Sequence, residues 1–474
     1  MRPRPSKPTP DFPETAVAAH VCILLVGVSW AFGGNADWVR TPISIWGSLG
    51  IVLAFATPLL GRMRGRVLPG TFHWAWPVIA LNCIVGLSCL TPGFRVVTFR
   101  ANSLIMPLPV NWWTPSSARF EVSLRALWLF DGIYFSCLNL ALSVRSRHVL
   151  RMVFATAAGN ALALSVFGIV QKLVGSPGLY FGYVPSPQDY FFASFVYDNH
   201  WGAFIILMIG ACFGLAFRYM QGATGGGFFR GPGLMGVVAT CLLATSIPLS
   251  GSRACTLLLV IMLVVALSYG IPRISDALSQ SSVPTSGALA GIALAAILAI
   301  AGFWMTAGDA IQSRASKTRE QLAAMWTDRG FGSRGILYRD TWQMARDRLL
   351  FGWGMGSYPI VFGLYNSQRP NRDGLPQIYH DAHSDWLQSL SEIGLAGTAL
   401  IGAAVGLPAL AVRRLRVTRI PYFLLCGCVL VTAYSWIEFP FGNVAVVLAW
   451  WLCFFGAIQY IRLTAHQGAV PIEE

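Results

Sequence analysis

Apolar runs long enough to cross a lipid bilayer recur along most of this chain, separated by short polar or basic pieces. A hydrocarbon core about 30 Å thick needs about 20 mostly apolar residues per helix. Runs that approach or meet this condition fall at 14–34, 43–60, 71–91, 124–143, 152–174, 201–217, 235–250, 254–271, 287–306, 394–412, 421–438 and 444–461. The spacing predicts about twelve transmembrane helices; 235–250 is the shortest and contains Pro248. Two connections stand out by length, 92–123 and 307–393. The second is too long for a bare connector, so helices of its own are expected there. Within it Leu337, Trp342, Ala345 and Leu349 recur at helical spacing over 335–350. The pattern predicts an all-α polytopic membrane protein in three parts. Nine helices occupy 1–306, a large and partly helical loop occupies 307–393, and three helices occupy 394–474.

Composition agrees. The 474-residue chain is 55% hydrophobic and 11% charged, where an average soluble domain is roughly 25% charged. Most of it is therefore solvated by lipid. The net charge of +14 would raise nucleic-acid binding in a soluble protein. Here no stretch interleaves bases with aromatics as a nucleic-acid surface does. The cations gather in alternate connections instead: Arg2, Arg4 and Lys7; Arg62, Arg64 and Arg66; Arg145, Arg147 and Arg151; Arg218 and Arg230; Arg273; Arg413, Arg414, Arg416 and Arg419; then Arg462. Basic residues in short loops mark the cytoplasmic side. The count and the charges agree if both termini are inside, which puts 92–123 and 307–393 outside. The N-terminus lacks a cleavable signal pattern, so the first run is expected to be a retained helix. All ten cysteines lie in apolar runs, where Cys behaves as a small hydrophobe. Neither a disulfide framework nor a metal site is read from them. The pairs Trp112–Trp113 and Trp450–Trp451 suit a membrane interface or a bundle core. The glycine-rich piece 222–227 lacks the Lys-Ser/Thr of a phosphate loop and reads as a linker.

Polar groups collect on the outer side. The string Tyr379-His380-Asp381-Ala382-His383-Ser384-Asp385 stands just before a span. A histidine beside carboxylates is suited to take a proton near neutral pH; the bland alternative is a solvated loop. Ser252-Arg253 forms a tight outer turn, and an arginine at membrane depth is a functional candidate by default, its alternative being a snorkelling side chain. In the long loop, Arg334 and Arg339 are candidates to converge on an anion, since guanidinium groups bind phosphate oxygens bidentately. Arg346 and Arg348 are expected on a solvated face. Asp198-Asn199-His200 opens a span after the aromatic stretch 180–197, which suits a sugar site or an interfacial belt.

These motifs, in this order, resemble the O-antigen ligase and O-antigen polymerase superfamily of bacterial inner-membrane proteins. An Asn opens a mid-chain span (Asn199), and a Ser-Arg turn joins two spans (Ser252-Arg253). The long loop carries Ser333-Arg334 with Tyr338, then Leu349-Leu350-Phe351-Gly352-Trp353-Gly354-Met355-Gly356. It closes with His383-Ser384-Asp385-Trp386-Leu387 and Glu392-Ile393-Gly394-Leu395-Ala396-Gly397. Two positions depart from the family pattern: Ser384 stands where Asn is usual, and Arg348 where Pro is usual.

The resemblance implies a metal-independent glycosyltransferase with no cofactor. Its donor is a glycan on a polyprenyl diphosphate, and its acceptor is a glycan, lipid A core or another molecule, on the periplasmic face of the inner membrane. Other polysaccharide-assembly proteins are possible partners. By resemblance, His383 is the base, with Arg253 and Arg334 on the departing diphosphate. Arg339, Asn199, Tyr338, Ser384 and Asp385 are candidates for substrate binding, Glu392 ties the loop to the next helix, and Gly394 and Gly397 permit close packing. Ligase and polymerase are not distinguished. Two other readings are a transporter or flippase of the same lipid-linked glycan and a non-catalytic component of a secretion system. A transporter calls for paired charges at the bilayer midplane, and Asp131 alone lies deep in a span.

Overall fold

The computed structural model describes residues 12–63, 72–99, 102–109, 111, 113–188, 190–220, 232–279, 332–368 and 377–468. Eight helices come first: α1 (Phe12–Trp30), α2 (Asp37–Met63), α3 (Trp76–Leu90), α4 (Phe120–Ser143), α5 (Arg147–Leu173), α6 (Asp198–Met220), α7 (Pro232–Ser250) and α8 (Arg253–Ser279). After them come α9 (Gly332–Asp347), α10 (Asp385–Val412), α11 (Arg419–Tyr434) and α12 (Val444–Gly468). Among the described residues nine helices are long and apolar enough to cross a membrane, and Met235–Ser250 and Arg419–Tyr434 are shorter apolar helices. Each predicted run coincides with one of these except 287–306, which lies outside the described residues. The chain is a multi-pass membrane protein. One feature departs from an all-helical fold: β1 (Phe94–Phe99) and β2 (Asn102–Pro107) form an antiparallel hairpin, with Phe94 opposite Pro107 and Phe99 opposite Asn102.

Lipid offers no hydrophobic drive for helices to associate, so close backbone approach has to supply contact. Small residues provide it here. A Cβ on Gly47 of α2 would stand 2.7 Å from the Gly132 Cα of α4, and one on Gly210 of α6 would stand 2.6 Å from the Phe423 carbonyl of α11. The spans α6 and α12 are the most enclosed. Around α6 pack α5, α7, α8 and α11, and α12 joins it to α4. Trp450 and Trp451 are both buried in that centre, so they serve the core rather than the interface.

The bundle has two chemically distinct ends. At one, the Arg145 amide donates to Glu14 Oε1 (3.1 Å), Arg419 Nη1 donates to the Phe217 carbonyl (3.4 Å), and Arg462 lies over the Trp74 ring. The clusters at 145–151 and 413–419 belong to this end. At the other end lie the turns 31–36, 251–252 and 435–443 and the described residues of 91–119 and 174–197, together with α9 and the start of α10.

The two long connections share a small core, in which Phe94 and Ala118 of the first pack with Leu337, Met344, Trp353, Tyr358, Val361, Phe362 and Ala382 of the second. As expected, 335–350 is largely helical, although Trp342 faces outward at 45% exposure. Arg348 corrects the expectation of a solvated side chain. It is 6% exposed, donates to Ser116 Oγ (2.6 Å) and stacks over the Trp353 ring at 4.6 Å. The flat guanidinium suits such a stacked, buried seat.

The span predicted at 394–412 begins nine residues earlier, because α10 is two helical pieces joined at Gly394 (φ 65°, ψ −172°). A break orphans carbonyls on one side and amides on the other. The loop satisfies both. Trp353 and Gly354 donate their amides to the carbonyls of Ser391 (2.9 Å) and Glu392 (2.8 Å), and Leu395 and Ala396 donate to those of Leu349 (2.8 Å) and Leu350 (3.0 Å). The Glu392 carboxylate accepts the amides of Gly356 (2.8 Å) and Tyr358 (3.1 Å). Glu392 thus ties loop to helix, and Gly394 allows an approach in which any Cβ would meet the Leu350 carbonyl at 2.4 Å.

Candidate active site

This clamp fixes the start of α10, and with it the residues just before. Ser384 is the N-cap: its hydroxyl accepts the Leu387 amide (3.5 Å), and it is 1% exposed. Asp385 donates its amide to the Ser435 carbonyl (3.0 Å) and accepts the Phe441 amide on Oδ2 (3.0 Å). Ser384 thus spends its hydroxyl on capping α10, and Asp385 spends its polar groups on joining α10 to the 435–443 turn. His383, directly before them, takes a left-handed backbone (φ 51°), uncommon outside glycine. Tyr338 of α9 brackets it, its hydroxyl facing the His383 carbonyl at 2.9 Å and the Ile437 carbonyl at 3.1 Å.

The centre of the site is a residue that the sequence reading passed over. Glu438, in the turn between α11 and α12, is 3% exposed. Its Oε2 lies 3.3 Å from His383 Nδ1, and its Oε1 accepts from Arg334 Nη2 and from Asn199 Nδ2 (3.2 Å). Asn199 also donates to the Tyr197 hydroxyl (2.8 Å), and its Oδ1 accepts the Ser252 hydroxyl. Three sequence candidates thus meet on one carboxylate, Asn199, Arg334 and His383, while the Ser252 hydroxyl reaches it through Asn199 and Tyr338 bonds the neighbouring His383 and Ile437 carbonyls. The signal available in the sequence was slight. Glu438 is a lone acid at the outer end of a span, in Trp436-Ile437-Glu438-Phe439-Pro440.

Rings close the floor. Phe439 packs against His383 (4.7 Å between centroids), Tyr197 (5.4 Å) and His200 (5.0 Å), and the Phe439 carbonyl lies 3.1 Å from His200 Nε2. Burial, then the neighbouring Glu438 and Asp198, push the Tyr197 phenol up. Burial also raises the Asp381 carboxyl, against His383, His380, Arg40 and Gln388, which pull it down. Burial works to lower the Arg334 guanidinium, but Glu438 outweighs it and the net direction is up. Arg334 keeps 45% of its side chain exposed, and His383 keeps 27%.

The remaining candidates sit apart. Arg253 opens α8 with an exposed side chain, one residue beyond Ser252. Arg339 turns away from Arg334. It pairs with Asp340 (3.2 Å) and donates to Ser367 Oγ (2.6 Å). A histidine whose Nδ1 faces a buried carboxylate is oriented with Nε2 left to exchange a proton. Beside it stands the partly exposed Arg334 guanidinium, paired with Glu438.

Residues 238–402, roughly a third of the chain, match a family model described as O-antigen ligase. No curated protein matches the chain. The matched stretch holds the Ser252-Arg253 turn, Arg334, Tyr338, His383 and both halves of the Gly394 clamp, while Asn199 and Glu438 reach the same cluster from outside it. Over this stretch the chain is similar to the O-antigen ligase family, which supports a place in the O-antigen ligase and polymerase superfamily.

Proposed function

We propose that this protein is a glycosyltransferase of cell-surface polysaccharide assembly, using a glycan carried on a polyprenyl diphosphate. The observation that carries the reading is the meeting of His383, Arg334, Asn199 and Glu438 at the end of the bundle opposite the basic clusters. That end is the periplasmic one by the charge rule, and it lies where a lipid diphosphate would present its sugar. Ser279 closes α8, which runs away from this end, and Gly332 opens α9 at it, in keeping with the expected span at 287–306.

The chemistry is a direct displacement. The acceptor hydroxyl oxygen bonds to the anomeric carbon while the bond from that carbon to the diphosphate oxygen breaks. His383 Nε2 takes the hydroxyl proton. Arg334, with Arg253 from the adjoining turn, stabilises the charge that develops on the departing diphosphate. Glu438 holds the imidazole in the tautomer this requires.

The test is reconstitution in vesicles with polyprenyl-diphosphate oligosaccharide and candidate acceptors. His383→Ala and Arg334→Ala are expected to abolish transfer while leaving the folded protein intact. Transfer at the wild-type rate by both variants would overturn the reading. Supplying either carrier-linked glycan or lipid A core as acceptor separates polymerase from ligase.

A further inference from the structure

Three large aromatic residues take left-handed backbone on two neighbouring turns at the site end of the bundle: Phe32 (φ 57°), Tyr180 (φ 52°) and Phe181 (φ 60°). Such conformations are costly for bulky side chains and gather where a local shape is needed. The rings touch one another. Phe32 packs edge-on against Tyr180 (5.5 Å) and Trp38 (6.3 Å), while Phe167 contacts both Tyr180 (5.8 Å) and Phe181 (5.2 Å). The Tyr180 hydroxyl donates to the Trp30 carbonyl and pins the two turns together. The cluster is nonetheless open at one side: Trp38 is 69% exposed and Phe181 49%, while Phe32 and Tyr180 are partly buried.

This patch continues into the candidate active site. Asn35 Nδ2 lies 3.5 Å from His200 Nδ1, the His200 ring contacts Phe439, and Phe439 contacts His383. Arg40 is within electrostatic reach of Asp381, two residues before His383. The rim is polar, with Asp37 98% exposed and Arg40 46%. Exposed ring faces with a carboxylate and a guanidinium at the edge match a pyranose, which offers apolar C–H faces and a rim of hydroxyls. A hydrocarbon tail is a poorer fit to turns that carry a fully solvated carboxylate.

We propose that Phe32, Trp38, Tyr180 and Phe181, with Asp37 and Arg40, form a saccharide platform for sugar units of the glycan substrate that do not themselves react. The proposal rests on the glycosyltransferase reading. It predicts that substrates with more sugar units gain affinity from residues remote from the bond being made.

The test uses the full chain in nanodiscs, with lipid-linked glycan extracted from the source membranes and fractionated by length. Mild acid releases free glycan from the same fraction as the binding probe. Trp38→Ala/Phe181→Ala is expected to weaken free-glycan binding and raise KM at least tenfold for the long fraction. Its kcat should stay within twofold of wild type, and KM for the shortest fraction should hardly change. Trp38→Phe, which keeps a ring, should bind as wild type does. The platform is overturned if wild type does not bind free glycan, or if the double variant binds it unchanged. It is equally overturned if the double variant loses membrane insertion or thermal stability with KM unchanged, as an interfacial belt would. Wild type that binds free glycan yet transfers none from the lipid-linked fractions to any acceptor refutes the glycosyltransferase reading and leaves the platform standing. Transfer by wild type with free-glycan binding insensitive to the double variant does the reverse.

Discussion

Replacing Glu438 by Gln separates the carboxylate's charge from its shape. The side chain is 3% exposed and has three partners: Arg334, Asn199 at 3.2 Å and His383 at 3.3 Å. Glutamine fills the same space, and its Oε1 can still accept from Arg334 and Asn199. Its amide nitrogen, however, is a donor facing His383 Nδ1, so the imidazole must change tautomer or turn away. Stability should fall modestly. A charge-assisted hydrogen bond contributes about 1.5–3 kcal/mol, and the Arg334 pair, with 45% of the arginine exposed, contributes about 1 kcal/mol or less. The rate should fall much further. A correctly oriented base is worth roughly 10²–10⁴ in rate, and about 1.4 kcal/mol of barrier corresponds to each factor of ten. The expected outcome is kcat down by about 10³ at saturating lipid-linked donor, in a protein that still unfolds cooperatively in detergent. A kcat within threefold of wild type would refute the assignment. A raised KM with unchanged kcat would move Glu438 from orienting His383 to binding the donor.

Three further outcomes follow from the geometry. Gly394→Ala forces a side chain into a backbone region open essentially to glycine alone and onto the Leu350 carbonyl at 2.4 Å. It should destabilise the clamp by about 3 kcal/mol, read as a lower thermal midpoint and faster proteolysis between 357 and 384. Arg348→Ala empties a buried seat beside Ser116 and Trp353 and should cost about 2–4 kcal/mol of stability. Lysine should not restore it, since it lacks the planar stacking group. Arg339→Ala should leave transfer within a few-fold of wild type, because Arg339 is 60% exposed and engaged with Asp340 and Ser367. A loss as large as that of Arg334→Ala would show that Arg339 swings toward substrate.

Much of the architecture was legible along the chain. The hydrophobic runs located the spans because lipid demands about 20 apolar residues per crossing. The basic clusters sorted the loops into two sets, and the structure gathers clusters of one set at one end. The start of α10 was misjudged because Asp385-Trp386-Leu387-Gln388 reads as polar loop, yet it is helical under the Ser384 cap. Arg348 was read as solvated because its cover, Ser116 and Trp353, comes from separate segments that no local window connects.

By itself, then, the sequence determined the membrane-spanning character, the two-sided charge and the residue types available for chemistry, since hydropathy and helical period are local properties. Only the tertiary structure decided which of them meet. Arg334 and Arg339 are five residues apart on one helix, yet one faces Glu438 and the other Asp340. His383 and Glu438 are separated by the α10–α11 hairpin and touch because that hairpin brings the chain back to the same end of the bundle. The break at Gly394 holds because amides and carbonyls some forty residues away complete its hydrogen bonds, a pairing that depends on how the chain returns and not on what any one segment prefers.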